Sequence, residues 1–216
     1  MSSDPQSPPY DGVAASQALA AADPALGDVI AAVGPPRITL RPLETLPALL
    51  RSIVFQQLST KAAATIHGRV LDAFGDGEAL DVAALDAAPD EALRACGLSR
   101  AKTAAVRDLA ARQRAGTLPT RADLLGMDDA AVVEALTAVR GVGPWTAQMV
   151  LLFNLGRPDV WPVADLGVQE GLRIVRGWDA RPTPREMAAA GEPYAPWRSV
   201  AAWYCWRAVH RARGEE

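Results

Sequence analysis

The chain has 216 residues, 50% of them apolar and 22% charged, with a formal charge of −3. That length allows one sizeable core or two small lobes, and the acidic balance excludes a strongly basic nucleic-acid coat while leaving room for a local basic face. Two cysteines, Cys96 and Cys205, cannot make a metal site by themselves, no stretch is long and apolar enough to span a bilayer, and Met1-Ser2-Ser3-Asp4-Pro5 does not lead into a signal sequence; a cytoplasmic protein with reduced, buried thiols is expected.

Residues 1–11, rich in Pro and Ser, are expected to be a loose tail. Alanine-rich patterns predict short helices over residues 13–22 and 26–33, the second capped by Asp23 and stopped by Gly34-Pro35-Pro36. A stronger apolar pattern covers residues 43–57, and Ser59 caps a helix over 60–74 that Gly75-Asp76-Gly77 closes. Residues 90–95 and 99–115 read as helices separated by Cys96-Gly97-Leu98, and 121–125 as a short turn after Pro119. Asp128 or Asp129 caps the next helix, whose apolar stripe is Val132, Val133, Leu136 and Val139. Past Asn154, Pro158 and Pro162 mark a loop, and helix resumes over 165–175, 184–190 and 196–212. With no alternating strand that has a partner and a hairpin turn, the expected fold is all-α.

Within this order the run Val139-Arg140-Gly141-Val142-Gly143-Pro144-Trp145-Thr146-Ala147 joins two helices across a few residues. Gly141 and Gly143 permit backbone angles closed to other residues, and Pro144 suits a first helical turn because its missing N–H had no helical partner. The second helix then starts with amides near Gly143, Trp145 and Thr146 that lack helical acceptors, and such amides bind phosphate. The glycines alone fit a plain turn equally well. The extended string is more specific: it resembles the helix–hairpin–helix of the DNA glycosylase superfamily with a downstream catalytic aspartate, and within it the 3-methyladenine-DNA glycosylase II branch, over roughly residues 40–213.

The resemblance implies two helical lobes with the active-site cleft between them, one of residues 52–143 and one of residues 12–51 with 144–216. It is to the compact form of the family, without the N-terminal β-rich domain. Asp165, 22 residues after Gly143, matches the catalytic aspartate; by local pattern it is also a helix N-cap, and a carboxylate there stays ionised more easily. A buried anion near C1′ stabilises the positive charge that develops on the sugar as an N-glycosidic bond breaks, and can also orient the attacking water. Trp145 stands where related bifunctional enzymes carry the lysine that forms a Schiff base, which implies a water-based, monofunctional reaction that leaves the strand intact. Trp145 and Trp206 match aromatic positions around the base pocket, where ring faces stack on a flipped base and attract the charge of 3-methyladenine or 7-methylguanine; each also reads as ordinary packing. Trp197 matches a family motif and reads as packing support for the last helix.

Gln57 and Leu58 fall where the family places a residue facing the opened pair and a wedge inserted in the duplex, although Leu58 fits a core as well. Gly141, Gly143 and Thr146 are expected to contact the strand through amides and the Thr146 hydroxyl. The carbonyls of Thr137, Val139 and Val142 match positions that hold a monovalent cation, Na or K, in related structures; no other cofactor is expected. A four-iron–four-sulfur cluster is excluded, since Cys205 is the only cysteine of the C-terminal half. Arg198, with Arg207, Arg211 and Arg213, lies in an acid-free stretch over 193–214 and reads either as a DNA contact or as a solvated face; so does the run Arg100, Lys102, Arg107, Arg112 and Arg114, with Asp108 its only acid. Ala164 departs from members that carry a second acidic residue there. The expectation is a monomeric glycosylase for alkylated purines in double-stranded DNA, acting away from membranes. A glycosylase for another lesion (hypoxanthine, 1-methyladenine or 3-methylcytosine) and a non-catalytic helix–hairpin–helix DNA-binding module are the alternatives.

Overall fold

A computed structural model describes residues 6–76 and 79–215. The all-α expectation holds: among the described residues the only extended pairings are two isolated bridges, Gln6 with Leu40 and Gly75 with Leu80. The chain forms two units, Met1–Pro42 with Gln148–Glu216, and Leu43–Ala147.

The first unit holds α1 (Gly12–Ala22), α2 (Pro24–Val33), a π-helical turn (Leu151–Leu155), α11 (Leu166–Arg176), α12 (Pro184–Gly191) and α13 (Arg198–Ala212). Asp11 and Asp23 cap α1 and α2 through their side chains, accepting amide N–H groups at 2.9–3.1 Å. Leu19, Leu26, Val168, Leu172, Tyr194, Val200 and Tyr204 form its core. Asp23 is buried there, and besides the Ala25 amide it accepts the Tyr194 hydroxyl at 2.5 Å and pairs with Arg176 at 3.0 Å, so its charge is compensated. Residues 6–11, expected to be loose, are tied down instead: Gln6 and Leu40 exchange backbone hydrogen bonds, and the Tyr10 ring packs 5.9 Å from that of Trp197. Burial pushes the Tyr10 hydroxyl up to about 12. Residues 1–5 of that expected tail lie outside the described residues, as does Gly77 of the expected helix stop.

The second unit holds α3 (Thr45–Phe55), α4 (Thr60–Ala73), α5 (Val82–Ala87), α6 (Asp90–Ala95), α7 (Arg100–Arg114), α8 (Arg121–Gly126) and α9 (Asp129–Thr137), and α10 (Pro144–Val150) begins in it. Ser59, Ser99 and Asp128 cap their helices as their sequence positions indicate, each accepting an amide three residues on. Helix α5 was not anticipated, although Asp81 caps it by accepting the Ala83 and Ala84 amides. A lobe boundary at residue 52 would cut α3; the break falls before it, at Leu43, because α3 packs as one piece on α4 and α7 around Leu49, Leu50, Ile53 and Val54.

Candidate active site

Asp165 ends the loop that follows the π turn and caps α11, so its place follows from local chain chemistry. Its Oδ1 accepts the Val168 amide at 2.8 Å and the indole N–H of Trp206, from α13, at 3.0 Å. The residue is 8% exposed. Two N–H donors on one oxygen of a nearly buried carboxylate fix its orientation. The Trp206 ring rests against Phe153 of the π turn, centroids 5.7 Å apart at 31°. Gly156 closes that turn with φ +72°, where a Cβ would meet Leu40 at 2.8 Å, so glycine is needed there. Sequence reading continued the helix to Asn154 and missed the π turn; such turns are frequent at functional sites. Gln169, also nearly buried, donates to the Val163 carbonyl at 2.8 Å and ties the preceding loop to α11. This arrangement presents a fixed anion, the chemistry required to stabilise a cation formed next to it.

In the second unit the turn after α3 meets the hairpin. Gln57 has φ +57°, a conformation uncommon for a side chain other than glycine, and Leu58 beside it is 41% exposed. An exposed leucine on a strained turn is consistent with insertion rather than with core packing. Gln56, which sequence reading passed over, donates from Nε2 to the Gly141 carbonyl at 3.0 Å and to Thr146 Oγ1 at 3.4 Å. The Lys102 ammonium donates to the carbonyls of Val54 and Gln56, both at 2.8 Å, and satisfies the end of α3. Desolvation holds the Lys102 pKa below its ordinary value.

In the hairpin Gly141 has φ +79°, while Gly143 is not in the left-handed region and has open space where a Cβ would stand. Trp145 is 42% exposed in the first turn of α10. Val139 and Val142 are buried, and the Val142 amide donates to the Val139 carbonyl at 3.1 Å.

Two expectations are corrected. The Thr146 hydroxyl, expected to contact the strand, accepts from Gln56 Nε2 at 3.4 Å in a buried residue. Arg198 makes a two-pronged pair with Asp159, both contacts at 2.6 Å, because the acid absent from its own stretch arrives from the preceding loop. The 100–114 run is likewise largely committed: Arg107 to Asp90 and to the Asp86 and Ala88 carbonyls, Arg112 to Asp108, Arg114 to Asp86, and Lys102 as above. Arg211 on α13 and Arg213 just past its end are exposed, and Arg207 is half-buried, its guanidinium 5.9 Å from the centre of the Trp203 ring. Cys96 and Cys205 are buried free thiols, and among the described residues no group of three or more His, Cys, Asp or Glu is placed to hold a metal. No helix among them is long and apolar enough to cross a membrane.

Residues 50–196 match the model of the HhH-GPD superfamily base excision DNA repair protein. The chain is 31% identical over 172 residues to DNA-3-methyladenine glycosylase 1 of Schizosaccharomyces pombe, which covers 80% of this chain and 75% of that protein. Among solved structures, that of the S. pombe 3-methyladenine DNA glycosylase (Mag1) in complex with abasic-DNA superposes with a TM-score of 0.81 at 30% identity, covering 90% of this chain and 95% of that one. The DNA-3-methyladenine glycosidase of Bacillus halodurans gives a TM-score of 0.81 at 34% identity, over 93% and 91% of the two chains.

Proposed function

We propose, since this chain belongs to the HhH-GPD superfamily of base excision DNA repair proteins, that it is a monofunctional DNA glycosylase hydrolysing the N-glycosidic bond of alkylated purines in duplex DNA. Its relatives in fission yeast and B. halodurans are named for 3-methyladenine, and that base, with 7-methylguanine, is the substrate assigned. The observation that carries the reading is Asp165, buried, oriented by two N–H donors and at the position the resemblance requires.

The chemistry follows from the charge. As the bond to C1′ breaks, positive charge grows on the sugar, and a carboxylate already fixed beside it stabilises that state more than the ground state. The departing base is itself cationic and leaves without a strong general acid, so a site with one carboxylate suffices. Trp145 carries no nucleophilic amine, so water completes the reaction and the product is an abasic site in an intact strand. Leu58 fills the space of the flipped nucleotide and Gln57 faces the opened pair, while Trp206, beside Asp165, and Trp145 take the aromatic roles that the resemblance assigns to them.

The amides of the hairpin near Gly141, Gly143 and Thr146 hold backbone phosphate. The carbonyls of Thr137 and Val139 at the C-terminal end of α9, where the helix dipole favours positive charge, with that of Val142 in the hairpin, would hold a monovalent cation; the Val139 carbonyl also accepts the Val142 amide. Bound there, the cation would supply a positive charge for phosphate. The protein is taken to act as a monomer in the cytoplasm.

The test is release of free base from a panel of duplexes, each with a single lesion. Release of 3-methyladenine and 7-methylguanine is expected, with no borohydride-trapped protein–DNA adduct. Release confined to hypoxanthine, 1-methyladenine or 3-methylcytosine would move the assignment to another lesion class, and release of none would reduce the protein to a DNA-binding module.

A further inference from the structure

Two glycines one turn apart on α11, Gly167 and Gly171, set how closely α13 approaches. A Cβ on Gly171 would lie 2.0 Å from the Cys205 carbonyl oxygen, so the α13 backbone occupies that space. A Cβ on Gly167 would lie 2.8 Å from Cδ1 and 2.9 Å from Nε1 of Trp206, and 3.1 Å from Asp165 Oδ1. The indole thus lies against bare backbone at the second residue of α11, and in that position its N–H reaches Asp165 Oδ1 at 3.0 Å. Phe153 contacts the same ring and limits its tilt. A ring that served only to stack on a base needs no donor at this place, whereas a tryptophan N–H can do nothing but donate.

We propose that Trp206, seated by Gly167, is a positioning residue for Asp165: the indole N–H, and not the ring face alone, holds the carboxylate in the orientation that recognises a positively charged sugar. This rests on the reading of Asp165 as the catalytic carboxylate and deepens it. The pair also gives Gly167 a reason to be glycine that helix formation does not supply, since glycine weakens a helix.

The test uses the whole chain and two duplexes that carry no base at the target position. One holds a neutral tetrahydrofuran abasic analogue and the other a pyrrolidine analogue whose ring nitrogen is protonated. Neither offers a base to stack on, so the ratio of their Kd values reports the carboxylate alone. Wild-type protein should prefer the pyrrolidine duplex, and Asp165→Asn should lose that preference. Trp206→Phe keeps an aromatic face without the donor, and Gly167→Ala keeps the donor but displaces it. Each should cut the preference roughly 10- to 100-fold and slow single-turnover release of 7-methylguanine by a similar factor, as expected for one hydrogen bond to a charged group. The double variant should be little worse than either single one, because both act through one bond. Unchanged preference in folded Trp206→Phe and Gly167→Ala, with the preference lost in Asp165→Asn, overturns this inference and leaves the Asp165 reading standing. Preference retained by Asp165→Asn overturns that reading instead. If Trp206→Phe does not fold, Trp206→Leu, which also lacks the donor, carries the comparison, because the Gly167→Ala methyl would lie against the Asp165 carboxylate as well as the indole.

Discussion

Asp108 receives the Arg140 amide and the Arg112 guanidinium on the same oxygen, both at 2.8 Å. Partial burial opposes its charge, but these two donors outweigh it and hold the carboxyl below the usual carboxylate range. The single acid in a basic run is therefore the residue that fastens the start of the hairpin to α7. Asp108→Ala should cost about 1–2 kcal/mol in denaturant unfolding at neutral pH, allowing for partial solvent screening. A folded-state pKa below the unfolded one gives stability that is present above about pH 4 and is lost as pH falls through the lower folded value. The gap between wild type and variant should accordingly close in acid; a gap that widens there would assign the effect to another group. Single-residue chemistry of this kind is legible in sequence only over short reach. Asp165 as a cap could be read because its amide partner is Val168, three residues on, whereas its Trp206 partner lies 41 residues away. Arg198 misled for the same reason: an acid-free stretch describes neighbours in the chain, and Asp159 is not one of them.

At the scale of elements, the helices were readable because capping residues and apolar periods are local, and their observed ends depart from the sequence reading by a residue or two in most cases. The braces between elements were not. Gln56 reaches the Gly141 carbonyl and Thr146, and Lys102 closes the end of α3, through contacts spanning 46 to 90 residues of chain. Together they make the 56–59 turn and the hairpin one braced structure, which suits two elements proposed to hold the same duplex. The hairpin itself offers a clean test. Gly143 is outside the left-handed region and has nothing within 4 Å of a Cβ, so Gly143→Leu should fold with a melting temperature near wild type. Its side chain would stand where phosphate is proposed to lie, so affinity for duplex DNA should fall roughly tenfold or more, the size of one or two lost charge-assisted contacts. Wild-type affinity in the folded variant would remove this part of the hairpin from the DNA interface.

For the molecule as a whole, the all-α fold follows from helix patterns along the whole chain and the position of the proposed carboxylate from residues 139–165, while its environment emerges only when α11 and α13 are seen together. An acidic chain can act on DNA under this account because backbone amides carry much of the phosphate contact, with Arg211 and Arg213 exposed to add to it. The central claim is that one fixed anion, Asp165, drives base release. The most direct measurement is single-turnover release of 7-methylguanine from duplex DNA by Asp165→Asn, with lesion binding and folding followed in the same samples. Asparagine retains the shape and the capping oxygen, so folding and binding should persist while release slows roughly 100-fold or more, about 3 kcal/mol of lost transition-state stabilisation. Release at a near-wild-type rate by a folded, DNA-binding Asp165→Asn protein would contradict the account.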